Sequence, residues 1–166
     1  RSTMRWSVVF WLLPAVLAGC SFEFPFDQSI DLTTGRADLA VARAVTNVNG
    51  EDVQKAVDGL SKFGEVESLA LDGAWIQTNP GDDLSAVEYA EIILSNSSRM
   101  QRYDVLNPSG TNASITLDGS VLLWFYQNPP FDVHAVLYRD EAGSVIPTHY
   151  RVRLKGRMLV EALVKP

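Results

Sequence analysis

Five apolar stretches rich in Val, Leu, Tyr and Phe fill the last third of the sequence and are separated by turn-forming residues. Such residues favour strands, and strands spaced at roughly 8 to 12 residues are typical of a sandwich or a barrel. The predicted strands are 114–117, 120–127, 133–139, 145–155 and 157–164. A hairpin-length link at 140–143 is predicted to join the third and fourth of them. The pattern predicts a mainly β fold, an antiparallel β-sandwich.

The middle of the chain gives mixed signals. Residues 66–78 fit one long strand or a strand pair broken at Asp72-Gly73, and residues 36–48 fit either a helix or a strand. For 84–95, a capping-box pattern favours a helix, but the alternation of apolar and polar residues favours a strand, which we predict. Residues 95–114 are polar and are predicted to form a long exposed connection.

One short helix is predicted near 51–62, where apolar residues recur at helical spacing and Gly64 follows as a stop signal. The segment before residue 36 alternates Phe with polar residues and contains Pro25, so it fits either a membrane tether or an edge strand. We assign 20–35 as a tether and 36–166 as a single β-sandwich domain, since this length supports one core.

The N-terminus has the features of a secretory signal peptide. Arg5 precedes an apolar run at 6–18, and small residues follow. This run of 13 residues is too short for a permanent transmembrane helix, because spanning a bilayer takes about 20 apolar residues. We predict that residues 1–19 are a signal peptide and that residues 1–3 lie upstream of the initiator Met4.

Leu17-Ala18-Gly19-Cys20 resembles the lipobox of bacterial lipoproteins. The resemblance implies cleavage between Gly19 and Cys20, a diacylglyceryl group on the Cys20 thiol, and an acyl chain such as palmitate on the new amino group. Cys20 is the only cysteine, which agrees with a thiol consumed by lipidation and excludes a disulfide framework. The alternative is an ordinary signal peptide followed by an incidental cysteine.

The same resemblance implies a location in the bacterial cell envelope. In enterobacteria-like sorting, Asp after the lipidated cysteine retains a lipoprotein in the inner membrane, so Ser21 implies the outer membrane, on its periplasmic or its surface face. The mature part is similar in size and pattern to small β-sandwich lipoproteins of bacterial envelopes, which implies an immunoglobulin-like or related fold.

Charge and motifs exclude several functions. Without residues 1–19, the chain has 147 residues, 12 basic and 20 acidic side chains and a net charge of −8, which argues against a general nucleic-acid binder. No metal-ligand or phosphate-loop motif and no Gly-x-Ser-x-Gly elbow occurs. We therefore predict no cofactor, no metal and no catalytic residue, and we interpret His134 and His149 as ordinary strand histidines.

Four cations alternate along the C-terminal strands: Arg151, Arg153, Lys155 and Arg157. Alternate residues of a strand share one face. We define these four residues as the basic ladder. One interpretation is a solvated face neutralised by acids on neighbouring strands. The other is a docking face for anionic lipid, anionic glycan or an acidic envelope protein.

A second pattern is the aromatic run from Trp124 to Phe131. As a strand it would place Trp124 and Tyr126 on one face and Phe125 on the other, with core packing on both. The alternative places Phe131 in an exposed interaction patch.

The sequence thus favours a non-enzymatic, lipid-anchored binding or scaffolding protein, whose partners are the membrane, through its acyl chains, and an envelope component. A carrier or chaperone for an apolar ligand is one alternative and predicts a large apolar cavity. A hydrolase is the other and predicts a cleft where His134 or His149 meets a serine or a carboxylate.

Overall fold

A computed structural model describes residues 21–34, 41–51, 64–106, 108–139 and 146–162. Gly50 and Glu51 are helical, and the rest of the helix predicted near 51–62 lies outside the described residues. The elements are β1 (Ser21–Thr33), β2 (Val41–Val48), β3 (Gly64–Thr78), β4 (Val87–Ser95), β5 (Met100–Leu106), β6 (Asn112–Ile115), α1 (Gly119–Gln127), β7 (Phe131–Arg139) and β8 (His149–Ala162).

The mainly β, antiparallel prediction is confirmed: eight strands form one curled sheet in the order β1-β8-β3-β6-β5-β4-β7-β2. Strands β1 and β8, β2 and β7, β3 and β6, and β4 and β5 are paired. The chain therefore forms a long antiparallel ribbon that doubles back between β4 and β5. Rolling of this ribbon adds the β3–β8 and β4–β7 pairs. An immunoglobulin domain instead places its first two strands side by side, so the immunoglobulin-like order is wrong.

The sheet has two halves that meet through a short seam. One half contains β1, β8, β3 and β6, the other contains β5, β4, β7 and β2, and the residue pairs Val105–Ile115 and Leu106–Ser114 join them. The outer strands β1 and β2 also approach each other, since Thr46 Oγ1 donates a hydrogen bond of 2.7 Å to the carbonyl oxygen of Asp31. The sheet is thus curled into a half-barrel.

Antiparallel neighbours place the starts of all odd-numbered strands and the ends of all even-numbered strands at one end of the sheet. We call this the Ser21 end. The pair Ser21–Glu161 marks this end in one half of the sheet, and the pair Val48–Phe131 marks it in the other. The curl offsets the two halves, because Thr46, close to Val48, bonds to Asp31, ten residues after Ser21. At the same end of β4, Ser95 pairs with Asp132.

Period-2 alternation builds the core. On β1, every second residue from Phe26 to Leu32 is buried and the residues between them are exposed. An exposed polar residue between two buried ones is the pattern of a strand with one face on the core. Matching faces include Ala42, Ile76, Ile92, Val133 and Leu154.

Two glycines let backbones approach β3 closely. A Cβ added to Gly156 would lie 2.1 Å from the carbonyl oxygen of Ala70, and one added to Gly119 would lie 2.1 Å from that of Leu69. Only glycine, which has no side chain, fits at such a distance. Gly156 therefore lies inside a continuous β8, where the sequence predicted a break between two strands.

The strand predicted at 120–127 is wrong, because these residues form α1. Asp118 caps the helix, accepting a 2.8 Å hydrogen bond from Ser120 N, and Leu122 N donates to the Asp118 carbonyl at 3.0 Å. The nearly continuous apolar run fits a buried strand or a buried helix equally well by periodicity. The N-cap decides in favour of the helix.

Other boundaries also differ from prediction. The exposed connection predicted at 95–114 is wrong, since it contains β5 and the start of β6. Residues 140–143 lie outside the described residues, but β7 and β8 pair with different neighbours and form no hairpin with each other. The segment 21–33 forms the edge strand β1, which is the edge-strand alternative for this segment. The strands predicted within 66–78, 84–95 and 133–139 are confirmed.

Candidate functional site: a polar cleft at the Ser21 end

Three parts of the chain meet around a cleft of about 460 Å³ at the Ser21 end. They are the end of β2, the end of β4 with the turn after it, and the passage from α1 to β7. We call this site the polar cleft. Its lining residues are Asn47, Ser95, Asn96, Ser97, Ser98, Trp124, Asn128, Pro129, Pro130, Phe131 and Asp132.

Asn96 holds the turn after β4. Its side-chain oxygen accepts hydrogen bonds from the backbone N–H groups of Ser98 and Arg99, both at 2.9 Å. Its Nδ2 donates to the carbonyl oxygen of Asn128 at 3.2 Å. This asparagine therefore ties the turn to the far wall of the polar cleft, and the side chains of Ser97 and Ser98 remain exposed.

Asn128 ends α1 and forms that far wall. Its backbone N–H donates to the Phe125 carbonyl at 3.1 Å, and its Nδ2 donates to the Trp124 carbonyl at 2.8 Å. Satisfying these last carbonyls stops the helix. A cis peptide joins Pro129 to Pro130 in the passage to β7.

A third asparagine links the outer strand to β7. Asn47 Nδ2 donates a 2.8 Å hydrogen bond to Asp132 Oδ1. Beside it, Ser95 Oγ lies 3.1 Å from His134 Nε2. Of the polar residues described around the cleft, the sequence singles out only His134. The signals that mark them, Asn96-Ser97-Ser98 and Asn128-Pro129-Pro130, are also ordinary turn compositions.

Several polar atoms in the polar cleft have no hydrogen-bond partner among the described residues. They are the side-chain oxygens of Asn47 and Asn128, Oδ2 of Asp132, and the hydroxyl groups of Ser97 and Ser98. In both asparagines the amide nitrogen donates a hydrogen bond within the protein, and the amide oxygen has no partner among the described residues. The cleft thus offers fixed acceptors together with hydroxyl groups, which can donate or accept.

Trp124 is the large aromatic side chain bordering the polar cleft, and it is half-buried. The Arg99 guanidinium carbon lies 5.2 Å from the centroid of its ring. Phe125 meets it at 5.2 Å with the ring planes at 88°. These contacts fix the orientation of the indole.

Phe131 is 1% exposed, so the exposed interaction patch expected there is wrong. Its ring packs 5.5 Å from that of Phe125 and 5.3 Å from that of Tyr126. The side chain points inward because Phe131 starts β7 in phase with buried Val133 and Ala135.

The two histidines have different surroundings. His134 is half-buried and contacts Ser95, whereas His149 is exposed and its Nδ1 lies 3.0 Å from Thr148 Oγ1. In the part of the chain that the structure describes, no hydrogen bond joins His134 to a carboxylate. A serine–histidine pair is present, but the third group that orients the imidazole in a catalytic triad is not seen there.

The basic ladder faces acids on both neighbouring strands. Arg151 lies 3.9 Å from Asp31, and Arg153 lies 3.8 Å from Asp27. The ion pairs of Arg157 are with Glu23 at 3.6 Å and with Asp72 at 3.4 Å. Lys155 is opposite Asp27 in the β1 register. Four carboxylates thus surround four cations, as the neutralising interpretation of the ladder predicts.

Other features lie away from the polar cleft. The Tyr89 hydroxyl donates to Asp104, and this bond raises the pKa of Tyr89 to about 12. No group of three or more His, Cys, Asp or Glu side chains able to hold a metal ion occurs among the described residues. No helix in the same residues has the length and apolarity needed to cross a bilayer. Gly19 and Cys20 lie outside them.

Comparisons with known proteins do not identify a family for this chain. No family model and no curated protein matches the chain. Among solved structures, a chain from Desmodium yellow mottle tymovirus is similar, with 13% identity over 98% of this chain and 99% of that chain and a TM-score of 0.36. A likeness this low supports no inference about fold or function.

Proposed function

We propose that this protein is a lipid-anchored, non-enzymatic binding module of the bacterial cell envelope and that the polar cleft is its binding site. Cleavage between Gly19 and Cys20 and acylation of Cys20 would attach it to the outer membrane. The observation that carries the binding role is the polar cleft itself, a preformed concave site whose lining includes polar atoms without partners in the described part of the chain.

The anchor would hold the domain close to the membrane. Each buried methylene contributes about 0.8 kcal/mol, so the three acyl chains of a lipoprotein would bind almost permanently. β1 begins at Ser21, the residue after Cys20, and is paired with β8 from its first residue. No spacer therefore separates the proposed lipid attachment from the sheet.

We also infer that the two halves of the sheet pack face to face as an eight-stranded jelly-roll sandwich. Nested pairing of β1 with β8 through β4 with β5 agrees with a rolled ribbon of this kind. Tyr126 supports it, because its ring contacts Phe26 in one half at 5.7 Å and Phe131 in the other at 5.3 Å.

The two alternative functions are favoured less. A carrier for apolar ligands needs an apolar cavity, and the polar cleft is lined mainly by amides, hydroxyls and a carboxylate. The Ser95–His134 contact is the specific observation that favours a hydrolase. Turnover of a simple ester such as p-nitrophenyl acetate, lost in Ser95→Ala, would support that alternative against ours.

Replacing Cys20 tests the anchor. In cells supplied with labelled palmitate, the natural protein should carry label and sediment with outer membranes. Cys20→Ala should lose both properties, whereas Ser21→Ala, the matched control, should keep the label. A Cys20→Ala protein that stays in the membrane fraction would defeat the lipoprotein assignment.

A further inference from the structure

We propose that the polar cleft binds an uncharged carbohydrate. This inference rests on the proposed binding role of the cleft and adds the chemical class of its ligand. It follows from four properties of the site: its size, its unpartnered hydrogen-bonding atoms, its aromatic wall and its charge.

The size fits a short glycan. Small-molecule sites commonly measure about 300 to 1,000 Å³, and the polar cleft measures about 460 Å³. Its walls come from separate parts of the chain that are joined by hydrogen bonds of Asn47 and Asn96. Such a site is already formed before a ligand arrives, so little ordering cost opposes binding.

The hydrogen-bonding atoms match sugar hydroxyls. Asn47 and Asn128 each donate an amide N–H to the protein, and among the described residues neither side-chain oxygen has a partner. Asp132 keeps one carboxylate oxygen, and Ser97 and Ser98 keep their hydroxyls. A ligand that satisfies this set must bring several hydrogen-bond donors spaced a few ångströms apart, as the hydroxyl groups of a carbohydrate ring do.

Internal hydrogen bonds hold these acceptors in place. Rotation of the Asn47 amide would break its 2.8 Å bond to Asp132, and rotation of the Asn128 amide would break its 2.8 Å bond to the Trp124 carbonyl. Acceptors fixed in this way lose little side-chain entropy on binding. The arrangement therefore favours a ligand with hydroxyls in a defined geometry over any polar solute.

Trp124 supplies the apolar wall that a sugar ring needs. The C–H bonds on one face of a pyranose carry slight positive charge, and the face of an aromatic ring is negative. Trp124 and Pro130 both line the cleft and provide apolar surface there. Arg99 and Phe125 keep the indole from rotating away.

The charge of the lining argues for an uncharged ligand. Asp132 is the one ionisable side chain among the eleven lining residues. The Arg99 guanidinium, against the Trp124 ring, adds one positive charge beside the lining, so the site has no net charge that would favour uronic acids, phosphates or sulfates. A neutral glycan places hydroxyl donors against this carboxylate, and hydrogen bonds to a charged acceptor are stronger than neutral ones.

Calorimetric titration of the full-length protein tests the proposal, in a detergent whose head group is not a sugar. The probes are cellohexaose, maltohexaose and chitohexaose, with oligogalacturonate as the charged comparison. We expect at least one neutral probe to bind. Ser97→Trp, at an exposed position, should fill the cleft and weaken binding by about tenfold or more, as should Trp124→Leu.

Ser29→Trp is the matched control, because Ser29 is exposed on β1 and does not line the cleft; its affinity should stay unchanged. Three results would overturn the proposal: no neutral probe binds, Ser97→Trp binds as well as the natural protein, or oligogalacturonate binds at least as tightly as the neutral probes.

The same titration on Cys20→Ala separates this proposal from the lipid anchor. If the Cys20→Ala protein binds sugar and still sediments with membranes, the carbohydrate site is supported and the lipid anchor is refuted. If it no longer sediments and binds no sugar, the lipid anchor is supported and the carbohydrate site is refuted.

Discussion

Gln28 is a buried amide in the middle of β1, and its replacement should stabilise the protein. It is 2% exposed and lies between Phe26 and Ile30 on the core face. Within the described ranges, neither its Nε2 nor its Oε1 has a hydrogen-bond partner. Burying an unpaired amide costs about 1 to 3 kcal/mol in proteins. Gln28→Met keeps an unbranched chain of similar length and removes the amide.

We therefore expect Gln28→Met to raise the free energy of unfolding by about 1 to 3 kcal/mol. For a chain of this size each kcal/mol corresponds to about 2 to 4 °C in Tm. The measurement is urea and thermal unfolding of the full-length protein in detergent micelles, followed by circular dichroism.

Ile30→Met is the matched control, because it introduces the same side chain two residues away on the same buried face and removes no polar group. A swap of this kind commonly costs less than about 1.5 kcal/mol. If Gln28→Met destabilises the protein more than Ile30→Met does, the amide has a partner in solution, such as an internal water. Such a result would refute the expectation that the buried Gln28 amide is unpaired and destabilising.

Three further predictions concern β3, the ladder and the β4–β5 pair. Gly156→Ala should lower stability by about 1 to 3 kcal/mol or more in urea unfolding, since its Cβ would lie 2.1 Å from a β3 carbonyl; wild-type stability would contradict the β3–β8 approach. A double-mutant cycle on Arg153 and Asp27 should give a coupling energy of only about 0.2 to 1 kcal/mol, because both side chains are partly exposed. A larger coupling energy would show that solvent screens this ion pair less than its exposure implies. The Tyr89–Asp104 bond keeps the Tyr89 proton in the folded state, so its stabilisation is complete below the ordinary tyrosine pKa of 10.0 and is lost as pH rises towards about 12. Tyr89→Phe should remove the phenol that titrates near pH 12 from an ultraviolet absorbance titration, whereas the buried phenols of Tyr126 and Tyr150, whose pKa values are also raised, remain. An unchanged curve near pH 12 would refute the assignment.

The sequence predicts the strands whose apolar residues alternate or cluster. It also places the four cations of the basic ladder on one strand face, but it leaves a neutralised face and a docking face as alternatives. It fails where composition is ambiguous. The sequence predicts a strand in place of α1 because its six consecutive apolar residues, 121–126, have no period, and because Asp118 also fits a turn. β5 is overlooked because its outer residues are polar.

The polar cleft lies beyond sequence reasoning for a topological reason. Asn47, Ser95 and Asp132 are far apart along the chain, and the pairing of β2 with β7 and of β7 with β4 brings them together. Without the strand order, nothing in the sequence links the Asn, Ser and Pro residues of these three separate parts of the chain. The buried position of Phe131 likewise depends on its phase within β7.

The curl of the sheet sets which part of the membrane environment the polar cleft can sample. Thr46, the neighbour of Asn47 in the cleft lining, bonds to Asp31, which follows Ser21 by ten residues along β1. A strand rises about 3.3 Å per residue, so this wall of the cleft lies roughly 30 Å along β1 from the proposed lipid attachment. A domain tethered at Ser21 can therefore hold this wall about one strand length from the bilayer, where glycans that extend beyond the lipid head groups come within its reach.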